Sequence, residues 1–180
     1  MDTPSAPPSP ASTKSKVVSR ILDAAAVVLI LFAVWKIFVA PRFFTSKAKA
    51  VAAPAVVLPL MNGGTFALAK ARGHVVFLDF WASWCEPCKL SIPLIERYKK
   101  AHPDTLVFSV NAGEPVAVAE RYARGANMTR VAFDPEMKVS DAFGVTVFPT
   151  MIVIDPDGKE RAKWIGFNPL IEQAMAGVKF

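Results

Sequence analysis

The chain has 180 residues, enough for one domain with a hydrophobic core and one accessory segment. Its net charge is +6, but residues 1–42 hold five Lys/Arg and two Asp, and so carry half of that charge. A nucleic-acid-binding protein needs a dense basic face, which the nearly neutral remainder does not offer, so we expect no nucleic-acid partner. The two cysteines are too few for a disulfide-stapled domain, and a structural zinc site would need every Cys and His of the chain, Cys85, Cys88, His74 and His102.

The N-terminal part of the chain divides into a tail and an apolar run. Residues 1–20 are rich in Pro and Ser and predict a disordered tail. Residues 21–40 are apolar on every side and, as a helix, would span about 30 Å, so they predict a transmembrane helix. Ala48-Lys49-Ala50 has the shape of a signal-peptide cleavage site but lies well beyond the apolar run, which favours an uncleaved signal anchor. We interpret residues 41–51 as a linker and residues 52–180 as the folded domain.

The remaining segments alternate between strand and helix patterns in the order ββ, βα, βα, βα, ββ, α. This order indicates an α/β domain, because strands that alternate with helices form a sheet covered by helices. The predicted segments, from turn signals, apolar runs and caps, are a hairpin of Ala55–Leu60 and Thr65–Leu68 around Asn62-Gly63-Gly64, strand Val75–Phe80, helix Glu86–Lys100 interrupted by Pro93, strand Leu106–Val110, helix Pro115–Arg124, strand Val131–Phe133, a helix capped by Asp134 and ended by Gly144, a hairpin of Thr150–Ile154 and Arg161–Ile165, and a helix opened by Asn168-Pro169.

The motif Cys85-Glu86-Pro87-Cys88 follows a predicted strand and opens a predicted helix. At a helix start the free N–H groups and the dipole stabilise an anion, so Cys85 is the expected nucleophilic thiolate. Cys88 lies one turn later on the same side and is positioned to resolve a mixed disulfide. Half of a zinc site would look the same, but the chain has no second Cys pair to complete it.

Two carboxylates accompany the dithiol. Glu86 is expected to oppose the Cys85 thiolate and make the dithiol more reducing; the alternative is a solvated surface charge with little effect. Asp79 interrupts the apolar run Val75–Phe80, where a carboxylate is costly. It would take or supply a proton behind Cys88, or else serve only as a buried hydrogen-bonding residue.

Together these residues resemble the active site of thioredoxins. Phe80-Trp81-Ala82-Ser83-Trp84-Cys85-Glu86-Pro87-Cys88-Lys89 is similar to their signature, and Pro93 matches the proline that kinks their first active-site helix. Phe148-Pro149-Thr150, where a cis bond fits a proline at a strand start, is similar to their cis-proline loop. The anchor, the hairpin and an added helix and strand around Pro115–Phe133 resemble the TlpA/ResA-type extracytoplasmic thioredoxins over residues 52–180.

The resemblance implies a thioredoxin-like fold, with a central mixed β-sheet flanked by helices, and a domain held outside the cytoplasmic membrane with the N-terminus in the cytoplasm. It implies reduction of disulfides in client proteins, such as apocytochrome c or metal-centre assembly proteins, with electrons from a membrane thiol reductase and no cofactor besides the Cys85–Cys88 disulfide. It implies that Asp79 is catalytic with the two cysteines. The implied active-site motif and substrate-binding residues are Trp84, Glu86, Pro87, Phe148 and Pro149.

The sequence departs from this family at several positions. Ser91 stands where relatives with the same motif often carry Glu, and Asp79 replaces their Asn. Ser109 occupies the strand position of the basic residue that partners the buried acid of thioredoxin, so we expect that partner to be absent. Phe148 is bulkier than the residue that commonly precedes the proline. These changes leave the client undetermined.

Three other functions are alternatives to disulfide reduction, and the first two would use the same two cysteines. A disulfide-forming oxidase or isomerase would differ only in reduction potential. A copper(I) carrier would hold its ion between Cys85 and Cys88, although no Met or His lies close to the motif in sequence. A peroxidase would need a cysteine in a different local setting.

Overall fold

The domain is built around one strand whose side chains are all buried. In the computed structural model, which describes residues 25–30 and 46–180, this strand is β4, Val76–Trp81. Side chains of a strand point alternately to its two faces, so Val76, Leu78 and Phe80 enter one core and their neighbours enter the other. Burial on both faces explains why the sequence of β4 is an almost unbroken apolar run.

Eight strands and four helices are described between residues 46 and 180. The strands are β1 (Ser46–Ala52), β2 (Val57–Pro59), β3 (Thr65–Ala67), β4 (Val76–Trp81), β5 (Leu106–Ala112), β6 (Val131–Asp134), β7 (Thr150–Ile154) and β8 (Lys159–Ile165). The helices are α1 (Glu86–Ala101), α2 (Val116–Gly125), α3 (Lys138–Ala142) and α4 (Ile171–Ala176), with a short 3₁₀ turn at Leu68–Ala71.

Six strands form one mixed sheet in the order β1-β8-β7-β4-β5-β6. Strands β4, β5 and β6 are parallel, whereas β7 is antiparallel to β4 and to β8. The predicted α/β fold with a central mixed sheet is therefore confirmed. Because β4 and β5 are parallel neighbours, their carboxyl ends meet at one edge of the sheet, and the segments that follow them lie side by side there.

Helices α1, α2 and α4 cover one face of the sheet, and the β2–β3 hairpin and α3 cover the other. Phe77 of β4 packs against Ile95 and Tyr98 of α1 and against the apolar side of α4. On the opposite face, Phe66 of the hairpin stacks on Phe108 of β5, with ring centroids 4.0 Å apart.

The predicted β2–β3 hairpin is confirmed, and its turn explains the two glycines. Gly63 and Gly64 have φ of +86° and +76°, a region that favours glycine. Their backbones close the turn, since Gly63 donates its N–H to the Leu60 carbonyl and Leu60 donates its N–H to the Gly64 carbonyl.

Three helix starts differ in detail from the sequence prediction, since α4 starts at Ile171, with Leu170 as its N-cap, rather than at Asn168-Pro169. Pro115 is the N-cap residue of α2 rather than its first helical residue. Asp134 ends β6, and Met137 occupies the N-cap of α3. The Asp134 carboxylate nevertheless accepts the backbone N–H groups of Val139 and Ser140, so it caps α3 from the preceding strand.

The chain divides into two compact units, Met1–Phe44 and Thr45–Phe180. In the first unit residues 25–30 are helical and exposed, and the rest of the predicted membrane helix over 21–40 and the tail over 1–20 lie outside the described residues. Among the described residues, no helix combines the length and apolar character needed to cross a bilayer.

The segment over 41–51 was wrongly predicted to be entirely a linker. Its second half belongs to β1, which pairs antiparallel with β8 and forms an edge of the six-stranded sheet. Ala and Lys have low strand propensity, so the local sequence does not predict this strand. Its hydrogen bonds come from the backbone of β8, and lysines are common on such edges.

Candidate active site

The two cysteines form a disulfide at the start of α1. Cys85 is the N-cap residue, and its Sγ accepts a hydrogen bond from the backbone N–H of Cys88 at 3.2 Å. Cys85 is 4% exposed and Cys88 is 0% exposed. Both cysteines are therefore buried, and Cys85, at the helix end, is the more exposed of the two.

The local fold explains why the disulfide lies there. Strand β4 ends at Trp81, and the backbone N–H of Cys85 donates to the Ala82 carbonyl at 3.1 Å, which closes the turn before α1. Pro87 lies in the first turn of α1, where its missing N–H costs nothing. The Cys88 N–H at this helix end points towards the Cys85 sulfur, and it and the helix dipole favour negative charge there.

The proline loop contacts the same apolar cluster. The Phe148–Pro149 bond is cis, as the sequence suggested, and Pro149 is buried. Phe148 packs against the cluster that contains both cysteines, and its ring lies 5.9 Å from that of Trp84. Trp84 is 66% exposed, so this pair forms an apolar surface beside the dithiol.

Glu86 lies on the surface and is ion-paired. Its Oε1 is 2.5 Å from the Nζ of Lys89, one turn along α1, and the side chain of Glu86 is 79% exposed. The hydrogen bond that Lys89 donates to Glu86 raises the pKa of Lys89. A solvated carboxylate that already has a cationic partner exerts little field on Cys85, which favours the surface-charge interpretation of Glu86.

Asp79 is 2% exposed and lies on the face of β4 that also carries Phe77 and Trp81. Burial raises its pKa to about 7, against an opposing attraction from Lys99. A carboxyl with a pKa near neutrality is suited to exchanging protons with a thiol. Trp81 packs with Cys88 in one apolar cluster, which places Asp79 on the side of the sheet beneath the dithiol.

Asp79 forms no ion pair among residues 46–180, in line with the prediction that its basic partner is absent, but the charge of Lys99 acts on it from α1. Ser109 does occupy the neighbouring position on β5, in register with Asp79. Lys99 of α1 reaches that site instead, and its Nζ donates to Ser109 Oγ at 2.9 Å and to Glu96 at 2.7 Å. Lys99 is 5% exposed. Helical side chains point back towards the helix start, which carries this lysine under the sheet.

Glu114 is a second buried carboxylate that the sequence analysis missed. It is 7% exposed and lies in the loop after β5. Ser83 donates to it through both its backbone N–H, at 2.7 Å, and its Oγ, at 2.5 Å. The signal was available, because segments that follow parallel neighbours meet at one edge and Glu114 follows β5 as Ser83 follows β4.

Residues 48–176 match the Redoxin family, which covers well over half of the chain. The chain belongs to this family. A relative of this Redoxin protein, the thiol-disulfide oxidoreductase ResA of Geobacillus thermodenitrificans, is 33% identical over 150 residues, or 79% of this chain and 85% of the relative.

Two solved structures are also similar to this Redoxin protein. A DsbE-type thiol:disulfide interchange protein from Chlorobium tepidum is 33% identical, with a TM-score of 0.66 over 73% of this chain and 94% of that one. The exposed lipoprotein thioredoxin Etrx1 of Streptococcus pneumoniae is 27% identical, with a TM-score of 0.62 over 68% of this chain and 97% of that one. With its Cys-x-x-Cys disulfide, this Redoxin protein is a ResA/TlpA-type thioredoxin-like thiol–disulfide oxidoreductase.

Proposed function

We propose that this protein reduces disulfides in client proteins through a mixed disulfide on Cys85 that Cys88 resolves. The observation that carries the proposal is the arrangement of the dithiol: Cys85 caps α1 and keeps a small exposed fraction, whereas Cys88 lies fully buried one turn behind it. Only one sulfur is within reach of a protein client, and the other is held where it attacks the first.

The reaction has two exchange steps. In the first, the Cys85 thiolate of the reduced enzyme attacks a client disulfide, forms an S–S bond to one client sulfur and releases the other as a thiolate. In the second, the Cys88 thiolate attacks Cys85 Sγ, which releases the client as a dithiol and closes the Cys85–Cys88 disulfide. Two electrons pass from the enzyme to the client, and a thiol reductase in the membrane restores the enzyme dithiol.

Asp79 takes part in the second step. The Cys88 thiol must lose a proton before it attacks, and the interior around it offers no solvent, since Cys88 is 0% exposed. Asp79 accepts that proton when it is ionised, which its pKa of about 7 permits near neutral pH. The burial of Asp79 supports this role, because a buried carboxylate without use is costly.

The direction of the reaction is inferred from charge. Oxidising dithiols are those whose reduced, thiolate form is stabilised. Here the buried carboxylate of Glu114 is hydrogen-bonded to Ser83, on the turn that precedes Cys85, whereas Glu86 is exposed and paired with Lys89. Negative charge near Cys85 opposes the thiolate and favours the disulfide form of the enzyme, which makes the dithiol a better reductant.

The client surface is apolar. Trp84 and Val147 are exposed beside the partly buried Phe148, at the rim of the dithiol. We expect clients that present a disulfide between apolar residues, such as an apocytochrome c or a metal-centre assembly protein.

We further propose that the domain lies outside the cytoplasmic membrane, anchored by residues 21–40 with the N-terminus in the cytoplasm. The apolar run supports this, as does the similarity to an exposed lipoprotein thioredoxin. A thiol reagent that does not cross membranes should label reduced Cys85 in intact cells. Labelling only after lysis would reverse the orientation.

The trapping experiment tests the roles of the two sulfurs. A Cys88→Ser enzyme should accumulate covalent adducts with clients, seen as bands that disappear with reductant, because the second exchange step is blocked. A Cys85→Ser enzyme should accumulate almost none. The trapped adducts would identify the client. If Cys85→Ser were the trapping variant instead, the proposed order of attack would be wrong.

A further inference from the structure

The carboxylate of Glu114 accepts three hydrogen bonds, from donors that belong to two different parts of the active site. Its Oε1 accepts from Ser83 Oγ, and its Oε2 accepts both the Ser83 backbone N–H and the Asn111 Nδ2, each at 2.7 Å. A carboxylate that only accepts hydrogen bonds is in the form expected of an ionised group. No ion pair of Glu114 occurs within residues 46–180, so its charge is balanced by dipoles alone.

The backbone holds Glu114 firmly in this position. Gly113 has a φ of +74°, and its N–H donates to the Asp134 carbonyl of β6 at 3.1 Å. A side chain at Gly113 would meet Met137 Sδ at 3.1 Å. On the other side, Pro115 begins α2. The backbone around Glu114 therefore fixes the position of its carboxylate, and the carboxylate in turn fixes the position of Ser83.

The segment that Glu114 holds leads directly to the reactive sulfur. Ser83 lies in the turn between β4 and α1, two residues before Cys85, and the next residue, Trp84, forms the apolar surface with Phe148. The position of both the nucleophile and the client surface therefore depends on where Glu114 fixes this turn.

Glu114 differs from Glu86 in how far its charge is screened. Glu86 is exposed and paired with Lys89, whereas Glu114 is 7% exposed and has dipoles around it. A charge in the interior acts on its neighbours through a lower effective dielectric than a charge in water. Other titratable or charged side chains on the elements around this end of the sheet include Asp79, Glu86, Lys89, Tyr122 and Asp134, and Glu136 and Lys138 flank Met137, which lies against Gly113.

We propose that Glu114 is a positioning residue for the dithiol: its carboxylate fixes the turn before Cys85, and its negative charge opposes ionisation of the Cys85 thiol. The proposal rests on the reductase function proposed above, since it supplies the electrostatic reason why the dithiol donates electrons. A Cys85 thiolate close to the Glu114 carboxylate is unfavourable, because both are anions. The reduced enzyme therefore keeps Cys85 as a thiol up to a higher pH than the helix end alone would allow.

The test is the rate at which Cys85 of the reduced full-length chain reacts with iodoacetamide as a function of pH. The Cys88→Ser background leaves Cys85 as the only thiol. Glu114→Gln should move the midpoint of the rate profile to lower pH and raise the rate at pH 7 by up to about tenfold. Glu114→Asp keeps the charge but withdraws it from Ser83, so its midpoint should lie between those of the parent and Glu114→Gln.

Glu120→Gln is the matched control. Glu120 lies on α2 and pairs with Arg124, so this variant removes the same charge from the adjacent helix without touching the turn. Its midpoint should equal that of the parent. A midpoint in Glu114→Gln that does not move beyond the control, or moves to higher pH, overturns the proposal, as a purely structural Glu114 would alter thermal stability alone. If Glu114→Gln does not fold, the midpoint of Glu114→Asp decides, and an unmoved one overturns the proposal.

Alkylation needs no client. Failure of the trapping experiment would therefore refute the proposed function without affecting the midpoint, and an unmoved midpoint would leave the trapping result intact.

Discussion

Two carboxylates accompany the dithiol, Glu86 on its rim and Asp79 in the interior beneath it, and each has the charge of a lysine acting on it. On the rim, Glu86 and Lys89 share one turn of α1 in water. In the interior, Asp79 of β4 and Lys99 of α1 are 2% and 5% exposed; Lys99 forms its ion pair with Glu96, and its charge attracts Asp79.

The comparison shows that closeness in sequence does not decide which charge matters. Glu86 adjoins Cys85, but solvent and Lys89 screen it. Asp79 is six residues from Cys85, yet burial raises its pKa to about 7, where it exchanges protons under ordinary conditions. We therefore expect the chemistry of the dithiol to depend strongly on the interior carboxylate and weakly on the rim carboxylate.

The largest expected effect is that of Asp79→Asn. If Asp79 accepts the Cys88 proton, this variant should slow client reduction by about 100-fold at neutral pH, which is the lower end of what positioned proton transfer contributes. The measurement is the pH dependence of the turnover rate with a model disulfide client. Ser91→Ala is the control, because Ser91 is buried on the same helix as Cys88 and carries no charge. A rate profile equal to that of the parent would leave Asp79 a structural role only.

The same variant should stabilise the fold at alkaline pH. The pKa of Asp79 is raised from 3.8 to about 7, so between these values the folded state holds a proton that the unfolded state has lost. Stability falls as pH rises through this window, by roughly 4 kcal/mol at most. Asp79→Asn removes this loss, so its urea midpoint should exceed that of the parent at pH 8 and approach it at pH 4. A midpoint difference independent of pH would contradict the burial argument.

The sequence alone predicted the sheet better than it predicted the interior position of Lys99. Every strand of the sheet except β1 was found from apolar runs and turn residues, because those signals are local. β1 was missed because its pairing energy comes from β8. Lys99 was missed for the same kind of reason: its position at the end of α1 looks like an exposed basic residue next to Lys100, and only the packing of α1 on the sheet directs it inwards.

An intermediate effect is expected from Lys99→Met. Attraction to Lys99 lowers the pKa of Asp79 against the larger effect of burial, so removing the lysine should raise that pKa further. Less Asp79 is then ionised at pH 7, and the turnover rate there should fall by up to about tenfold, with the whole profile moved to higher pH. Methionine keeps the apolar length of the side chain in its buried site.

Two controls make this measurement specific. Lys100→Met alters the same residue type one position along α1, where the side chain is exposed, and should leave the profile in place. In the Asp79→Asn background, Lys99→Met should produce no further movement of the profile, since the group it acts on is gone. A movement that persists in the double variant would mean that Lys99 acts on another group.

The smallest effect is expected from Glu86→Gln, on the rim. The Glu86 side chain is 79% exposed and is paired with Lys89. Removing its charge therefore breaks a solvated ion pair and leaves Lys89 as a solvated cation. The turnover rate should change by less than about twofold, and the change should vanish at high salt, because exposed charges are screened there. The double variant Glu86→Gln, Lys89→Met restores the local charge balance and should match the parent at every salt concentration. An effect of Glu86→Gln that equals that of Asp79→Asn, or that survives high salt, would break the distinction between rim and interior. It would return Glu86 to the role that its place beside Cys85 first suggested.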